Sequence, residues 1–286
     1  MSKRMWILGL TGFLALAGSA MLSNYMYKDR ALITVVLDGN ITEARRLLEQ
    51  GCNVNIKLNN GTTALMAASS KGYDAIARLL LQYGADVNDK CDKGVTALID
   101  AVSLDHPETA QILLAANADP NVRDKSGMTP MMEAAAVGDV QSVKLLLSHG
   151  ARLNEKGPKG LSELMLACRY GKVEAIKTLL ENGANVNAKD DQGFTPLMHG
   201  IVQGSAPLPE LLVKSGADVN AKDNAGGTAL MIASYEGKID VVKMLLENGA
   251  DPNVIEKSGK TALSIAKLKN NREVIDILES SRDTSR

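Results

Sequence analysis

Glycines stand 33 residues apart at Gly61, Gly94, Gly127, Gly160, Gly193, Gly226 and Gly259. The text around them repeats as well: NGTTALMAA, KGVTALIDA, SGMTPMMEA, KGLSELMLA, QGFTPLMHG, AGGTALMIA and SGKTALSIA. A period of this length does not describe a chain wrapped around one thick core. It describes a row of similar units, each burying its apolar face against its neighbours. Composition agrees. Phe and Trp together number three, so Leu, Ala, Val, Ile and Met must fill many thin layers.

One unit can be read residue by residue. Thr129-Pro130 starts a helix, because Thr caps it and Pro is tolerated in a first turn. Met131, Ala134 and Ala135 fall on one helical face, and Gly138 ends the segment. Val143, Leu146 and Leu147 line a second helix that Gly150 stops, where a left-handed residue is wanted. Asn154 and the polar residues beyond it form a turn tip. Each unit is therefore helix, turn, helix, β-turn.

These blocks resemble the ankyrin repeat, whose pattern is D-x-x-G-x-T-P-L-H-x-A-A-x-x-G followed by V-x-x-L-L-x-x-G-A-x-x-N. The resemblance runs from about residue 28 to about residue 280. It implies an all-α repeat solenoid of stacked helix-turn-helix units joined by β-hairpin-like turns. Residues 28–57 keep Asp38-Gly39, Leu47-Leu48 and Gly51 without the TPL start, and are expected to be an N-terminal capping unit. Residues 58–255 hold six repeats. Residues 256–286 are expected to be a C-terminal capping unit with a short polar tail.

The chain departs from that pattern in three places. The histidine after TPL is absent; Met66, Ile99, Met132, Met165, Met198, Met231 and Ser264 stand there instead. Adaptable apolar packing is expected to replace the polar network. In the third unit Leu104-Asp105-His106-Pro107 lacks the usual glycine. In the sixth, Gly200 and Gly204 precede Pro207 and Pro209, and are expected to loosen that unit.

The resemblance also implies where a partner docks, on a groove built from hairpin tips and first helices. By register, Val95, Met128, Leu161 and Phe194 form one apolar column, and Leu104, Val137 and Tyr170 a second beside it. Tyr170, Phe194 and Tyr235 are the expected anchors, with Arg169 on the rim. An exposed apolar strip with polar ends marks a binding surface. The alternative is that these side chains fold down onto the neighbouring repeats, with Val95 and Met128 the foremost cases.

Residues 1–27 read differently. Lys3 and Arg4 precede an uncharged run from Met5 to Leu22. This is the layout of a signal peptide or a single transmembrane anchor, here an N-terminal hydrophobic helix. Small residues at Ala15–Ala20 suit cleavage, whereas Tyr25 and Tyr27 suit an interfacial belt. Either reading exports the rest of the chain, to the periplasm or to an anchored position facing it.

Other functions find little support. The net charge of −1 gives no footprint for nucleic acid. Cys52, Cys91 and Cys168 form no disulfide framework, and His106, His149 and His199 are scattered, so no metal or cofactor is expected. The carboxylates Asp38, Asp74, Asp139 and Asp240 are not paired for catalysis. Gly259-Lys260-Thr261 lacks the earlier glycine of a phosphate loop. The sequence therefore points to a non-enzymatic scaffold, expected to be monomeric, that binds a protein partner in the cell envelope. A secreted host-directed effector and a periplasmic stress-protection factor are its alternatives.

Overall fold

The computed structural model describes residues 31–204 and 207–283. The hydrophobic segment expected at residues 1–27 lies outside them. Among the described residues no helix is long and apolar enough to cross a membrane. The chain forms two compact units, residues 1–119 and 120–286. The first contains α1 (31–37), α2 (Ile41–Glu49), α3 (Ala64–Ser70), α4 (Asp74–Gln82), α5 (Ala97–Ser103) and α6 (Pro107–Ala115). The second contains α7 (Pro130–Val137), α8 (Val140–Ser148), α9 (Glu163–Arg169), α10 (Val173–Glu181), α11 (Pro196–Gln203), α12 (Pro207–Lys214), α13 (Ala229–Glu236), α14 (Ile239–Glu247), α15 (Ala262–Lys269) and α16 (Arg272–Asp283). The only pairing resembling a sheet among them is an isolated bridge between Lys222 and Thr228.

The repeat signature translates directly into helix starts. Thr63, Thr96, Thr129, Ser162, Thr195, Thr228 and Thr261 each accept the backbone N–H three residues on, at 3.2–3.4 Å. Each such cap is worth about 1 kcal/mol. One turn in, the residues that replace the family's histidine are buried: Met66, Ile99, Met132, Met165, Met198 and Met231. Ser264, in the last pair, is exposed. First helices pack on first helices and second helices on second within each unit, as in α3 on α5 and α8 on α10.

The turn without glycine keeps its geometry. Asp105 adopts a left-handed conformation, φ 62°, and Asn117 does so at φ 65° after the second helix. Short polar side chains tolerate this region best after glycine. In the sixth pair, α12 forms from Pro207 onward. Its Leu208 is fully buried, in the space left by the absent side chain of Gly200.

A ladder of asparagines ties successive units together. In the first unit, Asn55 donates to the Gly84 carbonyl at 3.1 Å and accepts the Asp86 N–H at 2.8 Å. Asn88 does the same with Asn117 and Asp119. In the second unit Asn121, Asn154, Asn187 and Asn220 repeat the pair of bonds 29 and 31 residues ahead. Hairpin tips are linked by backbone as well, for example Asp191 N–H to the Lys159 carbonyl and Asn224 N–H to the Gln192 carbonyl. Pro158 occupies the same register and has no N–H to give. There Arg123 reaches across instead, donating to the Lys156 carbonyl at 3.0 Å and pairing with Glu155.

Candidate functional site

The groove is built from hairpins laid against first helices, and it deepens between α9 and α11. Asp190 organises the α11 side. Its Oδ1 accepts the N–H groups of Gln192 and Phe194 at 2.9 and 2.8 Å, closing the hairpin. Its Oδ2 meets His199 Nε2 at 3.0 Å, one turn into α11. The hairpin places Phe194 over that imidazole, with ring centroids 5.6 Å apart at 55°. Burial pushes the His199 pKa down, partly opposed by the Asp190 hydrogen bond and reinforced by the charge of Arg169.

Beside this pair lies a hollow of about 780 Å³, lined by Lys159, Leu161, Arg169, Asp190, Asp191, Gln192, Phe194, His199, Val202 and Gln203. Ligand sites commonly fall within roughly 300–1,000 Å³. The lining offers no hydroxyl or thiol, and its imidazole is held by a carboxylate. A second hollow of about 240 Å³ lies further along, where Tyr235 stands with Met231, Ile232, Ile265 and Leu268. Lys269 Nζ sits 3.9 Å from the Tyr235 ring centre.

The structure sorts the expected contact residues. In the first unit Val95 is half-buried and Leu104 is 50% exposed at the end of α5. In the second unit Leu161, Arg169 and Phe194 share the larger hollow, and Tyr170 stands next to it, 56% exposed. Tyr235, 51% exposed, belongs to the smaller one. Val137 is half-buried at the end of α7. Leu161 corrects the picture of a continuous exposed column. It is only 7% exposed and packs with Met132, Met165 and Leu166, and Met128 packs against the same cluster. The register is right, but burial at each step depends on the size of the neighbours.

Sequence reasoning missed Asp190 and His199 as a pair. Their nine-residue spacing recurs at Asp124 and Glu133, where burial and then the Asp124 charge hold the Glu133 carboxyl above its ordinary range. A polar residue directly after the buried Met is the signal that was available. The cysteines carry no site. Cys52 and Cys91 are half-buried, and burial pushes the Cys168 thiol up. Among the described residues no group of three His, Cys, Asp or Glu could hold a metal ion.

Comparison with known proteins addresses the fold independently. A family model described as ankyrin repeats (3 copies) matches at residues 13–91, 32–124, 88–157, 131–223 and 210–285. The chain belongs to the ankyrin-repeat family. Among solved structures, the crystal structure of the human ASB11 ankyrin repeat domain is similar. It is 28% identical with a TM-score of 0.71, over 77% of this chain and 98% of that one. No curated protein matches. Ankyrin repeats are in general protein–protein interaction modules rather than catalysts. In this ankyrin chain the groove between α9 and α11 holds a hollow of about 780 Å³.

Proposed function

We propose that this chain is a non-enzymatic scaffold that holds a protein partner in its ankyrin groove, in the cell envelope. The observation that carries the reading is the hollow of about 780 Å³ lined by half-buried Phe194 and exposed Val202, with the exposed Tyr170 capping the helix that brings Arg169 to it. Aromatic anchors at the centre of a concave, partly apolar surface contribute most of the energy in protein interfaces. The contact surface we assign comprises Arg169, Tyr170, Phe194 and Tyr235 of the second unit, with Met128 and Val137 at its margin and the buried Leu161 supporting it from below. In the first unit we assign Val95 and Leu104 as contact residues of that unit. The envelope location rests on the sequence of residues 1–27 alone, as signal or anchor.

The test is cross-linked capture from the envelope fraction of the source cell, comparing wild type with Tyr170→Ser/Phe194→Ser. A partner retained by wild type and lost by the variant, at an unchanged thermal midpoint, supports the groove. A partner retained by both moves the contact elsewhere. Recovery of the chain only from the soluble cytoplasmic fraction would remove the envelope part of the reading.

A further inference from the structure

We propose that the hollow between α9 and α11 takes an extended partner segment in which a carboxylate side chain stands beside an apolar one. The apolar group enters against Phe194 and Val202, and the carboxylate meets Arg169. This deepens the scaffold reading above and rests on it.

The hollow has two acids and two cations around it. Asp190 is fully occupied, with two backbone N–H groups on one oxygen and His199 on the other, and is largely buried. Asp191 is exposed at the hairpin tip. On the cationic side neither Arg169 nor Lys159 belongs to any ion pair among the described residues. Asp190 thus has its oxygens already engaged, whereas a partner's carboxylate would meet at Arg169 and Lys159 cations that no carboxylate among the described residues holds.

Arg169 is also out of keeping with its register. The same position in the other pairs of the second unit holds Ala136, Val202, Tyr235 and Leu268. An arginine among apolar residues, at the last turn of α9 where the helix dipole favours a cation, is well placed to present its fork to the groove. A planar guanidinium binds a carboxylate with two parallel hydrogen bonds, and does so best beside apolar surface that thins the water. Phosphate groups are usually gripped by clusters of arginines, and here there is one. His199, held by Asp190 and with its pKa pushed down by burial, serves as the shelf for the Phe194 ring.

The experiment is selection of a random dodecapeptide display library on the purified full chain, with Arg169→Gln, Arg169→Glu and Phe194→Ser variants of matched thermal midpoint. Wild type is expected to enrich peptides with Asp or Glu next to a large apolar residue. Arg169→Gln should weaken those peptides by about tenfold, the loss of a charge-assisted pair, and Arg169→Glu should turn enrichment toward Lys and Arg. If wild type enriches basic or uncharged peptides that Phe194→Ser loses, the carboxylate assignment is overturned and the groove reading stands. Acidic peptides indifferent to all three variants overturn the placement. No enrichment over the variants overturns both.

Discussion

Leu208 fills the space where a side chain on Gly200 would stand. A Cβ built at Gly200 overlaps Leu208 Cδ2, with Leu212 Cδ1 at 3.3 Å behind it. Both leucines are fully buried and have nowhere to retreat. In an exposed helix, exchanging Gly for Ala stabilises by about 1 kcal/mol. Here forced repacking, about 1–3 kcal/mol, opposes it. Gly200→Ala is expected to destabilise by about 1 kcal/mol, and Leu208→Val in the same chain should recover part of the loss. Denaturant midpoints of the three variants measure this. A higher midpoint for Gly200→Ala alone would mean that the site has room.

Within the second unit Asn187 joins two successive repeats with a pair of bonds, to the Gly216 carbonyl at 3.0 Å and from the Asp218 N–H at 2.8 Å. Removing both leaves two backbone groups to water, so Asn187→Ala should cost about 1–2 kcal/mol. Asn182 bonds only within its own turn, to the Thr178 carbonyl at 2.8 Å, and its replacement by Ala should cost less. Amide hydrogen exchange distinguishes the cases further. Protection should fall at Asp218 in the first variant and stay unchanged there in the second.

Burial raises the Asp100 carboxyl from 3.8 to about 6. The folded chain thus holds this proton more tightly than the unfolded chain does. Stability from this group is greatest below the unfolded pKa and is lost as pH rises between about 4 and 6. The bound is on the order of 3 kcal/mol, and solvent at this half-buried side chain reduces it to about 1–2 kcal/mol. Asp100→Asn should match wild type near pH 4 and exceed it above pH 6. Urea midpoints across that window give the difference curve. Parallel curves for the two proteins would show that Asp100 ionises without penalty.

The parts of this molecule that were legible in the sequence are those set by residues close together. Thr129 and its equivalents cap helices whose amides lie three residues away, and the buried Met row follows from the same register. The Asn ladder was not legible, because each asparagine looks like a turn residue until its partners, 29 and 31 positions on, are brought alongside. The packing of the sixth unit was not legible for a related reason. Two glycines and two prolines predict looseness when taken alone, but Gly200 is small because Leu208 needs the room. At the site, Phe194 was found by its hairpin register, whereas Asp190 and His199 acquire meaning only when the hairpin folds over α11.

Leu161 and Tyr170 were placed in adjacent columns of one surface, and the structure separates them. Leu161, packed on Met132, Met165 and Leu166, should cost about 2–5 kcal/mol when truncated to Ala. Tyr170 has more than half its surface in water, and Tyr170→Ser should change stability by no more than about 0.5 kcal/mol. The two substitutions therefore divide folding from recognition. Leu161→Ala should lower the thermal midpoint and weaken partner capture only through the unfolded fraction, so that binding per folded molecule is kept. Tyr170→Ser should keep the midpoint and lose binding directly. Calorimetric melting of both variants beside binding titrations at 15 °C, where each is folded, resolves them. Equal binding by Tyr170→Ser and wild type would take Tyr170 out of the contact surface.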